Sequence, residues 1–272
     1  MKLKSLLILI TACILFVFNE GCKKNQIKAN TPKSVDFKSL SSKVALNFMQ
    51  AVSGKIGGAN INDGIKAPSG ITMNVKGLRL FSVNPLCGYA IDTAYNFSVV
   101  SGDSTKAYKG DFHFTYTCST DNVDGYTVRD SLTNTEVGAL FNNTYTLGQN
   151  YVVKALDNTY TFVSMDGYVA STVFDRVLNA GGATVEYHYL AGQYNLTGLT
   201  VKITNGVADI TSGTSKFFVF ITNLDPTTSI DGSFYGYAGT ITFLGNHKAK
   251  LTIESPSQSY MVDLLTGEVT PL

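Results

Sequence analysis

Downstream of Ile71 the chain alternates apolar and polar residues with a period of two. Tyr95, Phe97 and Val99 interleave with Ala94, Asn96 and Ser98, and residues 159–163, 184–190, 199–203, 216–221, 233–243 and 249–253 behave likewise. Successive side chains of an extended chain point to opposite faces, so this pattern predicts strands with one face buried and one wet. Between the runs stand Asp157-Asn158, Asp166-Gly167, Gly181-Gly182, Asn205-Gly206, Asp231-Gly232, Gly245-Asn246 and Thr266-Gly267. Such pairs supply the positive φ angles of tight hairpins. Strands at this spacing, with no helices between them, predict an antiparallel meander. We expect a mainly β fold of about ten to fourteen strands, either a sandwich or a partly open barrel.

One stretch has a different period. Phe37, Leu40, Val44, Phe48 and Val52 recur at helical spacing, and Ala45 and Met49 widen the stripe. Ser34 can cap the start, so a helix over 34–52 is expected to lay this face on the sheet. Lys38, Ser42, Lys43 and Asn47 then fall on the opposite side. The Gly- and Asn-rich residues 53–64 read as a loop. Residues 169–178 fit either a short helix or a strand.

Composition supports the sheet. Of 272 residues, 44% are hydrophobic and only 15% charged, against a typical charged share of roughly 25%. Thr, Ser, Asn and Tyr fill the polar positions instead, and Thr and Tyr pack well on a pleated face. The formal net charge is +1 and no basic run is present. Nucleic acid is therefore excluded as a partner, because phosphate binding needs a surplus of Lys and Arg.

The N-terminus carries an address. Lys2 and Lys4 precede an apolar run of 13 residues, 6–18, interrupted only by Thr11. This fits the charged and apolar regions of a secretory signal, while a membrane-spanning helix needs about 20 apolar residues. The run is followed by Asn19-Glu20-Gly21-Cys22-Lys23-Lys24. Gly21-Cys22 resembles a bacterial lipobox, and Gly-Cys-Lys-Lys resembles exported lipoproteins of the Bacteroidota. Asn19 departs from that pattern, which has Leu or another aliphatic residue there. The resemblance covers about the first 24 residues and implies location, not activity. It implies a signal peptide over 1–21 and a diacylated Cys22 anchoring the chain at the cell envelope, with the outer membrane as its membrane partner. Two acyl chains anchor stably where one does not. Residues 22–33 then form a flexible tether, and 34–272 a single β-rich domain. Secretion with a free Cys22, or Cys22 as a further disulfide partner, is the alternative. Asp92-Thr93-Ala94, Asp103-Ser104-Thr105 and Asp130-Ser131-Leu132 also resemble the short O-glycosylation motif of exported Bacteroidota proteins.

Cys13 leaves with the leader, so Cys87 and Cys118 remain, an even number in an oxidising compartment. Cys87 shares its parity with Tyr89 and Ile91, and Cys118 shares its parity with Phe112, Phe114 and Tyr116. A bridge between two strands facing one core is expected. It would close a loop of about 30 residues and contribute roughly 3 kcal/mol. Two reduced, buried thiols are the alternative.

Signs of chemistry are sparse. His113, His188 and His247 show no metal spacing, and no P-loop, nucleophile elbow or dinucleotide fingerprint is present. No cofactor and no metal are expected. Glu186 and His188 share a strand face, and a carboxylate beside an imidazole can tune it for proton transfer. Glycoside hydrolysis needs two carboxylates roughly 5–10 Å apart. Asp111, Asp124, Asp130, Glu136, Asp175 and Glu186 are candidates, and the sequence pairs none of them. Tyr187 with Tyr189, or Tyr235 with Tyr237, share strand faces and offer rings to sugars. The expected function is a non-catalytic binding or structural module at the envelope, with a glycan, lipid or protein ligand. A glycan hydrolase and an open-barrel lipid carrier are the alternatives.

Overall fold

Each described strand pairs antiparallel with the one before it. The structure, a computed structural model, describes residues 36–65, 87–120, 122–222 and 234–272. The strands are β1 (Ala90–Ser101), β2 (Ser104–Ser119), β3 (Asn122–Gly138), β4 (Phe141–Ala155), β5 (Phe162–Leu178), β6 (Thr184–Thr204), β7 (Val207–Thr222), β8 (Phe234–Gly245), β9 (Lys248–Ile253), β10 (Gln258–Asp263) and β11 (Val269–Pro271). They form one 11-stranded sheet in sequence order, unclosed, with β1 and β11 at its edges. Among the described residues the one α-helix is α1 (Phe37–Val52), followed by a 3-10 turn at Ile61–Asp63.

Turn chemistry sets the register. Asn205 and Gly206 take φ of 53° and 75°, so Thr204 pairs directly with Val207 across a two-residue turn. Residues 184–190 and 199–203, separate in the alternation pattern, lie in one 21-residue strand, β6. Gly198, at φ 57°, sits where the β6–β7 register shifts, and this bulge lets the strand run on. Residues 159–161 leave the sheet, contrary to expectation. The Asp157 carboxylate gathers the backbone N–H groups of Thr159, Thr161 and Phe162 at 2.9–3.0 Å, holding a turn where a strand would need them for pairing. Residues 169–178 are strand, the second half of β5.

The sheet curls around α1. Leu40, Val44, Phe48, Ala51 and Val52 are fully buried, and α1 touches β5, β6, β10 and β11. Those two pairs of strands are far apart in sheet order, so a twisted, coiled sheet is needed to bring both to one helix. The Phe48 ring lies 5.3 Å from those of Tyr194 and Phe243. Ser42 Oγ donates to the Gly267 carbonyl at 2.7 Å. The Asp36 carboxylate caps α1, accepting from Lys38 and Ser39 N–H at 3.0 and 3.2 Å; the expected cap, Ser34, lies outside the described residues. Asn47 is a correction: it is 3% exposed, not on a solvent side. Tyr194 Oη donates to its Oδ1 at 2.8 Å, and its Nδ2 donates to Ser171 Oγ at 3.1 Å. The curl reaches past the apolar stripe and so buries residues flanking it.

Cys87 and Cys118 form a disulfide, with Cα atoms 5.6 Å apart. Ala90 pairs with Thr115, and Tyr116 N–H donates to Tyr89 O at 3.0 Å. Continuing that register brings Cys87 opposite Cys118. Both residues are exposed, so the bridge clamps the open end of the β1–β2 hairpin at the surface and does not face the core. Cys22, the signal region and the tether lie outside the described residues. No described helix is long and apolar enough to cross a membrane.

Candidate binding site

The inward parity of β3 starts apolar and ends polar. It reads Tyr126, Val128, Asp130, Leu132, Asn134 and Glu136. Directly opposite residues on paired strands share a face. Tyr108 and Tyr145 stand opposite Asn134, while Lys106 and Asn143 stand opposite Glu136. Two polar rows therefore cross the inner face at one rim, on β2, β3 and β4.

The loop after α1 closes over this region through hydrogen bonds that its own backbone cannot satisfy. Gln149 Nε2 donates to the carbonyls of Ala51 and Ala59 at 2.8 and 3.0 Å, and its Oε1 accepts from Ala59 N–H at 2.8 Å. Asn134 Nδ2 donates to the Ile56 carbonyl. Beneath the loop lies Asp130, 6% exposed. Its Oδ1 accepts from Gln149 N–H at 3.0 Å, whereas Oδ2 has no hydrogen-bond partner. Burial pushes its carboxyl up to about 7, since an apolar surround penalises the charged form.

Between loop and rim is a cavity of about 180 Å³, lined by Ile56, Lys106, Tyr108, Asn134, Glu136 and Tyr145 among others. Asn134 is 9% exposed, and its Oδ1 has no partner. The Tyr108 ring stacks on Phe97 at 4.9 Å. Lys106 Nζ lies 3.2 Å from Glu136 Oε1, which also accepts from Ser104 Oγ at 3.2 Å. Burial, then the nearby Asp175 carboxylate, pushes the Tyr145 hydroxyl up to about 12, and that hydroxyl is hydrogen-bonded to Asp175. The rim thus offers tyrosine rings, a buried and unmet acceptor, and an ion pair within one small space. A cavity of roughly 150 Å³ can hold a benzene ring, so this one has the volume of a small ring.

Beyond Tyr145 the polar strip continues on β5 and β6. Asp175 pairs directly with His188, and His188 Nε2 lies 3.0 Å from Glu186 Oε1. Burial raises the Asp175 pKa above the usual carboxylate range. Asp175 Oδ1 and His188 Nδ1 are buried without a hydrogen-bond partner.

No protein-family model, curated protein or solved structure matches this chain. Its functional reading therefore rests on the geometry above.

The pairing of Glu186 with His188 agrees with their shared face in the sequence. Asp175, one of the scattered carboxylates, joins them across the strand pair. Glu136 enters the cavity, while Asp124 is held elsewhere by Lys154 at 2.8 Å and Asp111 is exposed on the outer face. His113 and His247 lie 3.1 Å from Asp92 and 3.7 Å from Asp209. Among the described residues no cluster of His, Cys, Asp and Glu is placed to hold a metal. Sequence reasoning missed Lys106, Tyr108, Asn134 and Tyr145. The available signal was the appearance of polar residues on the core parity of β3.

Proposed function

We propose that this chain is a non-catalytic, lipid-anchored module of the cell envelope that binds glycans in the pocket between Ile56 and the β2–β4 rim. One observation carries the reading: the Asn134 Oδ1, buried beside Tyr108 and Tyr145 with no partner. A buried acceptor left unmet costs about 1–3 kcal/mol, and a sugar hydroxyl is the donor that such a cavity fits. Tyrosine faces stack on the apolar side of a sugar ring, and the Lys106–Glu136 pair offers both a donor and an acceptor to its hydroxyls. Lipid carriage is the weaker alternative, because α1 fills the concave side along β5, β6, β10 and β11. Export and anchoring rest on the apolar run followed by Gly21-Cys22. The experiment is a saccharide-binding screen of the wild type beside Asn134→Ala and Tyr108→Ala.

A second reading, a glycan hydrolase, is favoured by one arrangement. Tyr145 lines the pocket and binds Asp175, which faces the Glu186–His188 pair. Two carboxylates about one imidazole are components of acid–base chemistry.

A further inference from the structure

We infer that the outward face of β5–β8 is a membrane-contact surface for anionic phospholipid. On the outer parity of these strands lie Phe174, Tyr187, Tyr189, Phe218, Phe220 and Phe234. Phe218, Phe220 and Phe234 are 40%, 43% and 60% exposed. The rings form two touching groups. Tyr189 is 5.9 Å from Phe174 and 5.4 Å from Phe234, while Phe218 is 4.7 Å from Phe220. Gly236 pairs with Phe220, and a β-carbon there would come within 3.4 Å of both the Phe218 and Phe220 rings. Both rings therefore rest against the backbone at Gly236.

Charge distinguishes the occupant. The Arg176 guanidinium sits 5.1 Å from the centre of the Phe174 ring, and exposed Lys216 shares the outer parity of Phe218. Among the described residues Lys216 enters no ion pair. Of the acids on these strands, Asp175 and Glu186 lie on the inner parity of β5 and β6, while Asp166 and Asp209 stand toward the other end of the sheet, bound to the backbone of Gly198 and of Asn246 and His247. Among the described residues the aromatic end of this face is therefore cationic without a carboxylate beside the rings. Phenylalanine has no hydrogen-bonding group to read a sugar, but it buries well at the boundary of headgroups and acyl chains. Lys and Arg at the edge keep their charges at the phosphates while their stems stay apolar. The anchoring at Cys22 proposed above is needed only to bring this face to a bilayer in the cell.

The test uses chain beginning at residue 23, which carries no lipid and keeps the whole compact unit 36–272. The probes are vesicles of phosphatidylcholine alone or mixed with phosphatidylglycerol. Binding to the mixed vesicles is expected, weakening as salt rises. The double variant Phe218→Ser/Phe220→Ser should lose at least about tenfold in partitioning. Lys216→Gln should lose about fivefold on mixed vesicles only. The chain has no tryptophan, so Phe234→Trp supplies a single reporter in an otherwise intact face. Its emission should shift to the blue on mixed vesicles. No sedimentation with either vesicle, no emission shift, or self-association that the double variant abolishes would overturn the proposal. Because no lipid is attached, failure here leaves the Cys22 reading untouched, and palmitate labelling of Cys22 tests that separately.

Discussion

Asp130 on β3 lies so close to Gly58 that a β-carbon on the glycine would stand 2.4 Å from Asp130 Oδ2. Burial, with Oδ2 unpaired, penalises the charged form of this carboxyl. Its pKa is raised from 3.8 to about 7. The protonated form is therefore favoured in the folded state, and this stabilisation is full below about pH 4 and lost as pH rises through 7. Asp130→Asn keeps the acceptor for Gln149 N–H and cannot ionise. In urea unfolding the variant should be more stable than wild type at pH 8, by on the order of 2 kcal/mol. The gap should shrink by pH 5. A wild type whose stability climbs from pH 5 to 8 relative to the variant would refute the assignment.

The Cys87–Cys118 bridge closes a loop of 31 residues in sequence separation. Replacing both by Ala should lower unfolding free energy by roughly 3 kcal/mol, read as a lower urea midpoint. Peptide mapping without reductant should recover the two cysteines linked; two free thiols in freshly isolated protein would contradict the bridge.

Cys22 should carry lipid. Cells expressing the wild type and grown with a palmitate analogue should yield labelled protein, and Cys22→Ala should be unlabelled. Undiminished label on the variant would remove the anchor from the account.

The Glu186–His188 pair should turn over nothing. A panel of glycans, peptides and esters is expected to show no activity in the wild type. Turnover lost in both Glu186→Gln and His188→Ala would transfer the function to the second reading and place the chemistry beside Asp175.

Much of the fold was legible because period-two alternation and Asn-Gly turns are local signals. The meander came from these, the helix from its own period, and the Cys87–Cys118 pairing from the two cysteines left after the leader and Cys22, together with their strand parity. The misreadings have two causes, one non-local and one local. Asn47 looked solvated by helical spacing, but the curl of the sheet brought Tyr194 and Ser171 to it. The turn at 159–161 was hidden because one side chain, Asp157, outbids strand pairing for three N–H groups. The pocket was the least legible feature. Tyr108, Asn134 and Tyr145 lie on three strands and meet only through register, and the loop that roofs them docks through Gln149.

The central claim is that the cavity beside Asn134 holds a sugar. Saturation-transfer NMR with a panel of neutral hexoses, N-acetylhexosamines and their disaccharides tests it most directly, on wild type and Asn134→Ala side by side. The account predicts transfer to at least one saccharide in the wild type and its loss, by at least about tenfold in affinity, in a variant that stays folded with a thermal midpoint lowered by the Nδ2–Ile56 hydrogen bond it also gives up. No transfer to any of these saccharides, or equal transfer in the two proteins, would contradict it.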